Sequence, residues 1–133
     1  MTTLTFTEIN YFQSELSSHP EALAALTEIQ NCDGNVEDAA TIILTQESDW
    51  EVVQSEWLDR LVDHSRSLIC KKYVKSSLPN LFAGLLKDLP ELLADLLGVT
   101  IPAETAAKII TCFVVRLLSK TTIEKFCQTP KTQ

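Results

Sequence analysis

LPNLFAGLLKDLPELLADLLGVTIPAETAAKIITCFVVRLL, residues 78–118, decides the fold class. Its first twenty residues carry nine leucines, and Leu78, Phe82, Leu85, Leu89, Leu92 and Leu96 follow an alternating four-three spacing, the seam of a helix packed on a helix. Pro90 stands inside that pattern. A mid-helix proline costs about 3 kcal/mol, so the spacing predicts two short helices, from about Pro79 to Leu86 and from about Pro90 to Leu97, ended by Gly98. Pro102 opens the next helix, to about Ser119, with Ala106, Ile110, Phe113 and Leu117 on one face and Ala107, Val114 and Leu118 on another. A helix apolar nearly all round belongs at the centre of a bundle or in a subunit interface. Its most apolar run, Ile109 to Leu118, contains Arg116 and falls short of the roughly 20 residues that cross a bilayer, so no transmembrane segment is expected. A last turn or two, Thr122 to Cys127, is expected to pack on it.

Upstream the same periodicity recurs. Phe6, Ile9, Phe12 and Leu16 form one face of a first helix behind a Thr cap. Pro20 suits the first turn of a second helix, striped by Ala22, Leu23, Leu26 and Ile29. Asn31-Cys32-Asp33-Gly34 ends it, and Asn35 with Asp38 three residues on resembles a capping arrangement for a third helix through about Gln46. Ser48 then caps the longest segment, to about Val74, on which Trp50, Val53, Trp57, Leu61, His64 and Leu68 share a stripe. Glu56–Arg60 and Asp63–Arg66 on its other face are ion pairs of helical spacing.

The stretch EALAALTEIQNCDGNVEDAATIIL, residues 21–44, resembles the second and third helices of a ubiquitin-associated (UBA-like) three-helix bundle. The hallmark is Gly34-Asn35-Val36-Glu37-Asp38-Ala39-Ala40, a polar cap followed by small residues that permit close helix approach. With the first helix the resemblance covers residues 5–47. Members of that family bind ubiquitin largely through a Met-Gly-Phe or Met-Gly-Tyr loop between helices one and two, where this chain has Leu16-Ser17-Ser18-His19-Pro20. What the resemblance implies is therefore a small helical docking module rather than a ubiquitin receptor. No family resemblance reaches residues 48–133.

Composition agrees with helices. Three glycines and five scattered prolines are too little punctuation for a many-stranded protein, and 133 residues suffice for one core. Cys32, Cys70, Cys112 and Cys127 form no CxxC pair or Cys/His cluster and read as reduced thiols used for packing. The first twenty residues carry Glu8 and Glu15, no Lys or Arg, and no continuous apolar run, so no secretory leader is read and the cytoplasm is expected. The net charge of −7 is uneven: residues 1–63 hold 13 acids against Arg60 alone, and residues 64–133 hold 5 acids against 10 bases. Loose pairing of the two halves explains this, as does steering of a basic partner to the first half. Nucleic acid is not expected, because the one dense basic cluster is Lys71, Lys72 and Lys75.

No phosphate loop, nucleophile elbow or paired-histidine zinc motif is present, so no catalytic residue, metal or cofactor is assigned. Glu56, Asp59, Asp63 and His64 share part of a helix surface and offer the best material for a metal site or small enzyme, but a second helix of ligands is missing. His64 reads as a packed histidine on the stripe, and His19 as a helix cap. The expected architecture is all-α: a bundle of about seven to eight helices, with a UBA-like start (residues 1–47) followed by a long helix and a leucine-rich half (48–133), packed as one domain. The expected function is a protein-interaction or regulatory module without catalysis. A metal-binding protein or enzyme, and a structural subunit of a larger complex, are the competing classes. The partner is a protein, or this chain itself as a homodimer, and the anchors chosen are Trp50, Trp57, Leu85 and Leu92, as aromatic and leucine side chains that suit an interface.

Overall fold

The computed structural model describes residues 2–47, 57–98 and 100–128. Helix α1, Phe6–Glu15, starts at a capping box in which Thr5 Oγ1 accepts from the Glu8 amide (3.1 Å) and the Glu8 carboxylate accepts from the Thr5 amide (2.8 Å). Pro20 opens α2, Pro20–Asn31, and Asn35 Oδ1 accepts from the Asp38 amide at 2.9 Å to cap α3, Val36–Glu47. The remaining helices are α4, Trp57–Lys72, α5, Leu78–Leu97, α6, Ala103–Lys120, and α7, Ile123–Gln128. The expected all-α class is what the described residues show, with Thr3 and Asn35 forming one isolated antiparallel bridge.

That bridge explains Gly34. Its φ is +88°, and a Cβ there would lie 2.4 Å from the Leu4 carbonyl oxygen, so both the backbone conformation and the space demand glycine. The Leu4 amide donates to the Gly34 carbonyl (2.8 Å) and the Val36 amide to the Thr2 carbonyl (3.0 Å), stitching the amino terminus across the α2–α3 corner.

Helix α6 is central. It packs chiefly against α3, α2 and α5, with Ile109, Ile110, Phe113, Val114 and Leu117 all buried. Thr111 is also buried there, and its hydroxyl donates to the Ala107 carbonyl of its own helix at 2.9 Å. Arg116 brings charge to this apolar helix and finds it on two others. Its Nε lies 3.0 Å from Glu37 Oε2 of α3, and its Nη2 donates to Asp59 Oδ1 of α4, while the second Glu37 oxygen accepts from the Thr2 amide at 2.7 Å. The acidic first half is thus tied in part to a base of the second.

Four expectations are corrected. Residues 78–97 form one helix, not two, with Pro90 inside it. Leu81, Leu85, Leu89 and Leu93 are buried along one row four apart on both sides of the proline, and at roughly 1.5–3 kcal/mol for each fully buried leucine this row outweighs the proline's cost. Leu92 and Leu96 lie at the margin of that row, half-buried. Phe6, placed on one face with Ile9, Phe12 and Leu16, does not share their burial and is 66% exposed at the first position of α1. His64, read as packed, is exposed, its Nδ1 2.8 Å from the Arg60 carbonyl one turn back. Finally, Cys70 and Cys127 form a disulfide with Cα atoms 5.5 Å apart, where all four cysteines were expected reduced. Their separation of 57 residues hides a proximity that only the docking of α7 on α4 creates. Cys32 and Cys112 are free, Cys112 buried as the sequence suggested.

Candidate functional site

The anchors chosen from sequence do not form a surface. Trp57 is 2% exposed, its indole N–H donating to Thr41 Oγ1 of α3 at 3.1 Å, and Leu85 of α5 is fully buried; both are core side chains and neither presents a docking face. Leu92 is half-buried on α5, far along the chain from Trp57 on α4, and Trp50 lies outside the described residues. The carboxylate set is likewise dispersed. Asp59 is engaged by Arg116, Asp63 and His64 are exposed, and Glu56 lies outside the described residues. Among the described residues no group of three or more His, Cys, Asp or Glu side chains is arranged to hold a metal ion.

What the structure does assemble is an open groove of about 390 Å³ at the end of the bundle where α1, the α4–α5 corner, the start of α5 and the α6–α7 corner meet. Its apolar floor is Phe12 of α1 with Leu78 and Leu81 of α5, all buried in the core. Tyr11, Val74, Leu118 and Ile123 rise around them, and Lys75, Ser76, Thr121, Thr122 and Glu124 supply a polar rim. Tyr11 is 54% exposed and meets Phe12 edge-on, ring centroids 5.3 Å apart. An aromatic left half in water at the lip of an apolar groove is the arrangement found at binding hot spots.

Each wall has a local cause. The α4–α5 corner is fixed by Tyr73, whose ring lies over Gly84 of α5 so closely that a Cβ on Gly84 would come within 2.4 Å of it. The Tyr73 hydroxyl donates to Asp88 Oδ2 at 2.6 Å, and Lys72 Nζ lies 3.3 Å from the same oxygen. The hydrogen bond to Asp88 pushes the Tyr73 pKa up to about 12, and that bond, with Lys72, holds Asp88 below its ordinary value. Ser77 then caps α5. On the opposite wall the extended Thr121 ends α6, and Thr122 Oγ1 accepts from the Lys125 amide at 3.2 Å as α7 begins.

α7 is the thinnest part of the wall. It rests chiefly on α4, through buried Ile123 and Phe126. The Arg66 guanidinium of α4 lies 4.0 Å from the Phe126 ring centroid and donates to the Phe126 carbonyl, and the disulfide follows one residue on.

The thiols are not activated. Burial pushes the Cys112 thiol up, and burial with the neighbouring Glu28 carboxylate does the same to Cys32. His19 stands at the N-cap position of α2 without a capping hydrogen bond, and its ring instead meets Phe82 of α5 edge-on at 4.8 Å.

Sequence reasoning missed this groove because three separated stretches of chain, 11–12, 74–81 and 118–124, build it. One signal was available: Tyr11 is a large aromatic off the Ile9–Phe12–Leu16 stripe of its own helix, with no core to enter. Comparison with protein-family models, with curated proteins and with solved structures finds no match.

Proposed function

We propose that this chain is a protein-interaction module without catalysis, and that the Tyr11 groove is where its partner docks. The observation that carries the reading is the groove itself: a half-exposed tyrosine and three further apolar residues around a concave floor, ringed by a polar rim that supplies both charges, Lys75 and Glu124. An aliphatic or aromatic anchor from the partner would bury against Leu78, Leu81 and Leu118 while its backbone meets the threonine hydroxyls. The absence of an activated thiol among the two free cysteines and the solitary, exposed His64 support a non-catalytic reading.

The UBA-like resemblance of residues 5–47 fits a docking role in kind. Ubiquitin is not proposed as the partner, because Leu16-Ser17-Ser18-His19-Pro20 lacks the glycine and the aromatic of that family's binding loop. Among the described residues no helix is long and apolar enough to cross a membrane. A cytoplasmic location is retained as part of the proposal, with the consequence that the Cys70–Cys127 bond would then be exposed to reducing thiols.

The test is a photo-crosslinking residue at Tyr11 of the purified, oxidised chain, compared in cell extract free of added reductant with one at exposed Gln30 on α2. Discrete adducts at Tyr11 that vanish with Val74→Glu are expected. Equal labelling at the two positions, or adducts indifferent to Val74→Glu, would overturn the assignment.

A further inference from the structure

We infer that the Cys70–Cys127 disulfide is a redox latch on the groove: oxidised, it holds α7 as one wall of the docking site, and a dithiol reductant releases that wall. The inference rests on the groove being the docking site, and concerns its control. Four observations support it. Ile123 and Glu124 line the groove, so α7 is part of the site and not a remote appendage. The helix has six residues, too few to persist without tertiary support. Its apolar anchorage is two side chains, Ile123 and Phe126, and it rests chiefly on one neighbour, α4. The disulfide closes the far end of α7 onto α4 from two half-buried cysteines, within reach of an attacking thiolate.

The chemistry is thiol–disulfide exchange. A reductant thiolate attacks one sulfur of the pair, forming a mixed disulfide and expelling the other cysteine as a thiolate. The reductant's second thiol then displaces the remaining cysteine. Two electrons and two protons pass from the dithiol, which leaves as a cyclic disulfide, and Cys70 and Cys127 end as thiols. Cys32 and Cys112 do not supply the attacking thiolate, because burial pushes both thiols up and Cys112 is fully enclosed.

Once the bond is open, the short α7 keeps non-covalent contacts such as Arg66 against Phe126 and the burial of Ile123 and Phe126, and the helix exchanges between docked and released forms. Release removes Ile123 and Glu124 from the groove and leaves Tyr11 and Leu118 beside open solvent. The central helices, which make their contacts with one another, stay folded. The latch therefore changes the site without unfolding the protein.

The experiment is amide hydrogen exchange on the full chain, oxidised and after dithiothreitol, paired with the Tyr11 crosslinker in both states. A Cys70→Ser variant serves as a second route to the open state without reductant. Exchange across residues 123–128 is expected to rise by at least about tenfold on reduction and in Cys70→Ser, with α2 and α3 unchanged, and Tyr11 adducts to fall by about the same factor. Unchanged α7 protection, with adducts that persist and still respond to Val74→Glu, would overturn the latch and leave the docking site standing. Lost α7 protection with undiminished adducts would overturn the control of docking. If Tyr11 yields no specific adduct in either state, the docking reading fails, and the exchange data alone decide whether α7 is released.

Discussion

Around α6, side chains from α2, α3 and α5 close over Ile109, Ile110, Phe113, Val114 and Leu117, so that helix is held by apolar area on nearly every side. At the edge, α7 has Ile123 and Phe126 beneath it, and its hold on α4 includes the Arg66 contact with Phe126 and one covalent bond. Burial at roughly 1.5–3 kcal/mol per large side chain makes the centre insensitive to the loss of any single polar contact, whereas the edge depends on a few identifiable ones. Docking sites and switches are drawn from regions of the second kind, because only there can a small chemical change alter structure locally.

The comparison breaks if a central side chain proves dispensable. Phe113→Ala removes a fully buried ring from α6 and is expected to destabilise by about 3–5 kcal/mol, read as a lowered urea midpoint with an unchanged slope. A loss below about 1 kcal/mol would mean that the centre is loosely packed and that the contrast with α7 is false. Opening the disulfide should come next. Closing a loop over a separation of 57 residues is worth about 2–4 kcal/mol through the unfolded chain, and the loss should be accompanied by early exchange confined to α7.

The centre was legible in the sequence and the edge was not. Thr5, Pro20 and Asn35 mark helix starts through local hydrogen bonding or ring geometry, and the all-round apolarity of residues 103–119 places α6 inside, since both signals depend on residues close in the chain. Pro90 misled because its local cost was visible while the leucine row that overrides it acts through α6. Trp57 and Leu85 were offered as anchors because an aromatic or leucine at helical spacing has the same appearance whether it faces a partner or the core. The groove and the Cys70–Cys127 bond require knowing which helices meet, and no spacing along the chain encodes that for residues 57 apart.

Two glycine substitutions sharpen the contrast further. Gly34→Ala places a methyl against the Leu4 carbonyl at positive φ and should cost about 2–3 kcal/mol, loosening the amino terminus from the α2–α3 corner. Gly84→Ala forces the Tyr73 ring off α5, at about 1–3 kcal/mol, and shifts Val74 and Lys75 at the groove lip. Near-UV circular dichroism, which reports tyrosine packing, should change for Gly84→Ala and not for Gly34→Ala; equal spectra would mean that the corner is not held by Tyr73.

The smallest effect belongs to the Tyr73–Asp88 hydrogen bond, because both groups are only part-buried. Its sign with pH is nevertheless determined. Asp88 is held below its ordinary value, first by Tyr73 and then by Lys72, so its contribution is present above the unfolded carboxyl value near 3.8 and fades as pH falls and the carboxylate is protonated. Tyr73 is raised to about 12, so its contribution is complete below the ordinary phenol value of 10.0 and is lost as pH rises through the folded one. The stability gap between the native chain and Tyr73→Phe should therefore be flat from weakly acid to weakly alkaline solution and shrink at both extremes. Urea titrations of the two proteins across that range measure it. A gap that stayed constant into strong acid would mean that the carboxylate does not receive the phenol proton, and the α4–α5 corner would then be held by the ring on Gly84 alone.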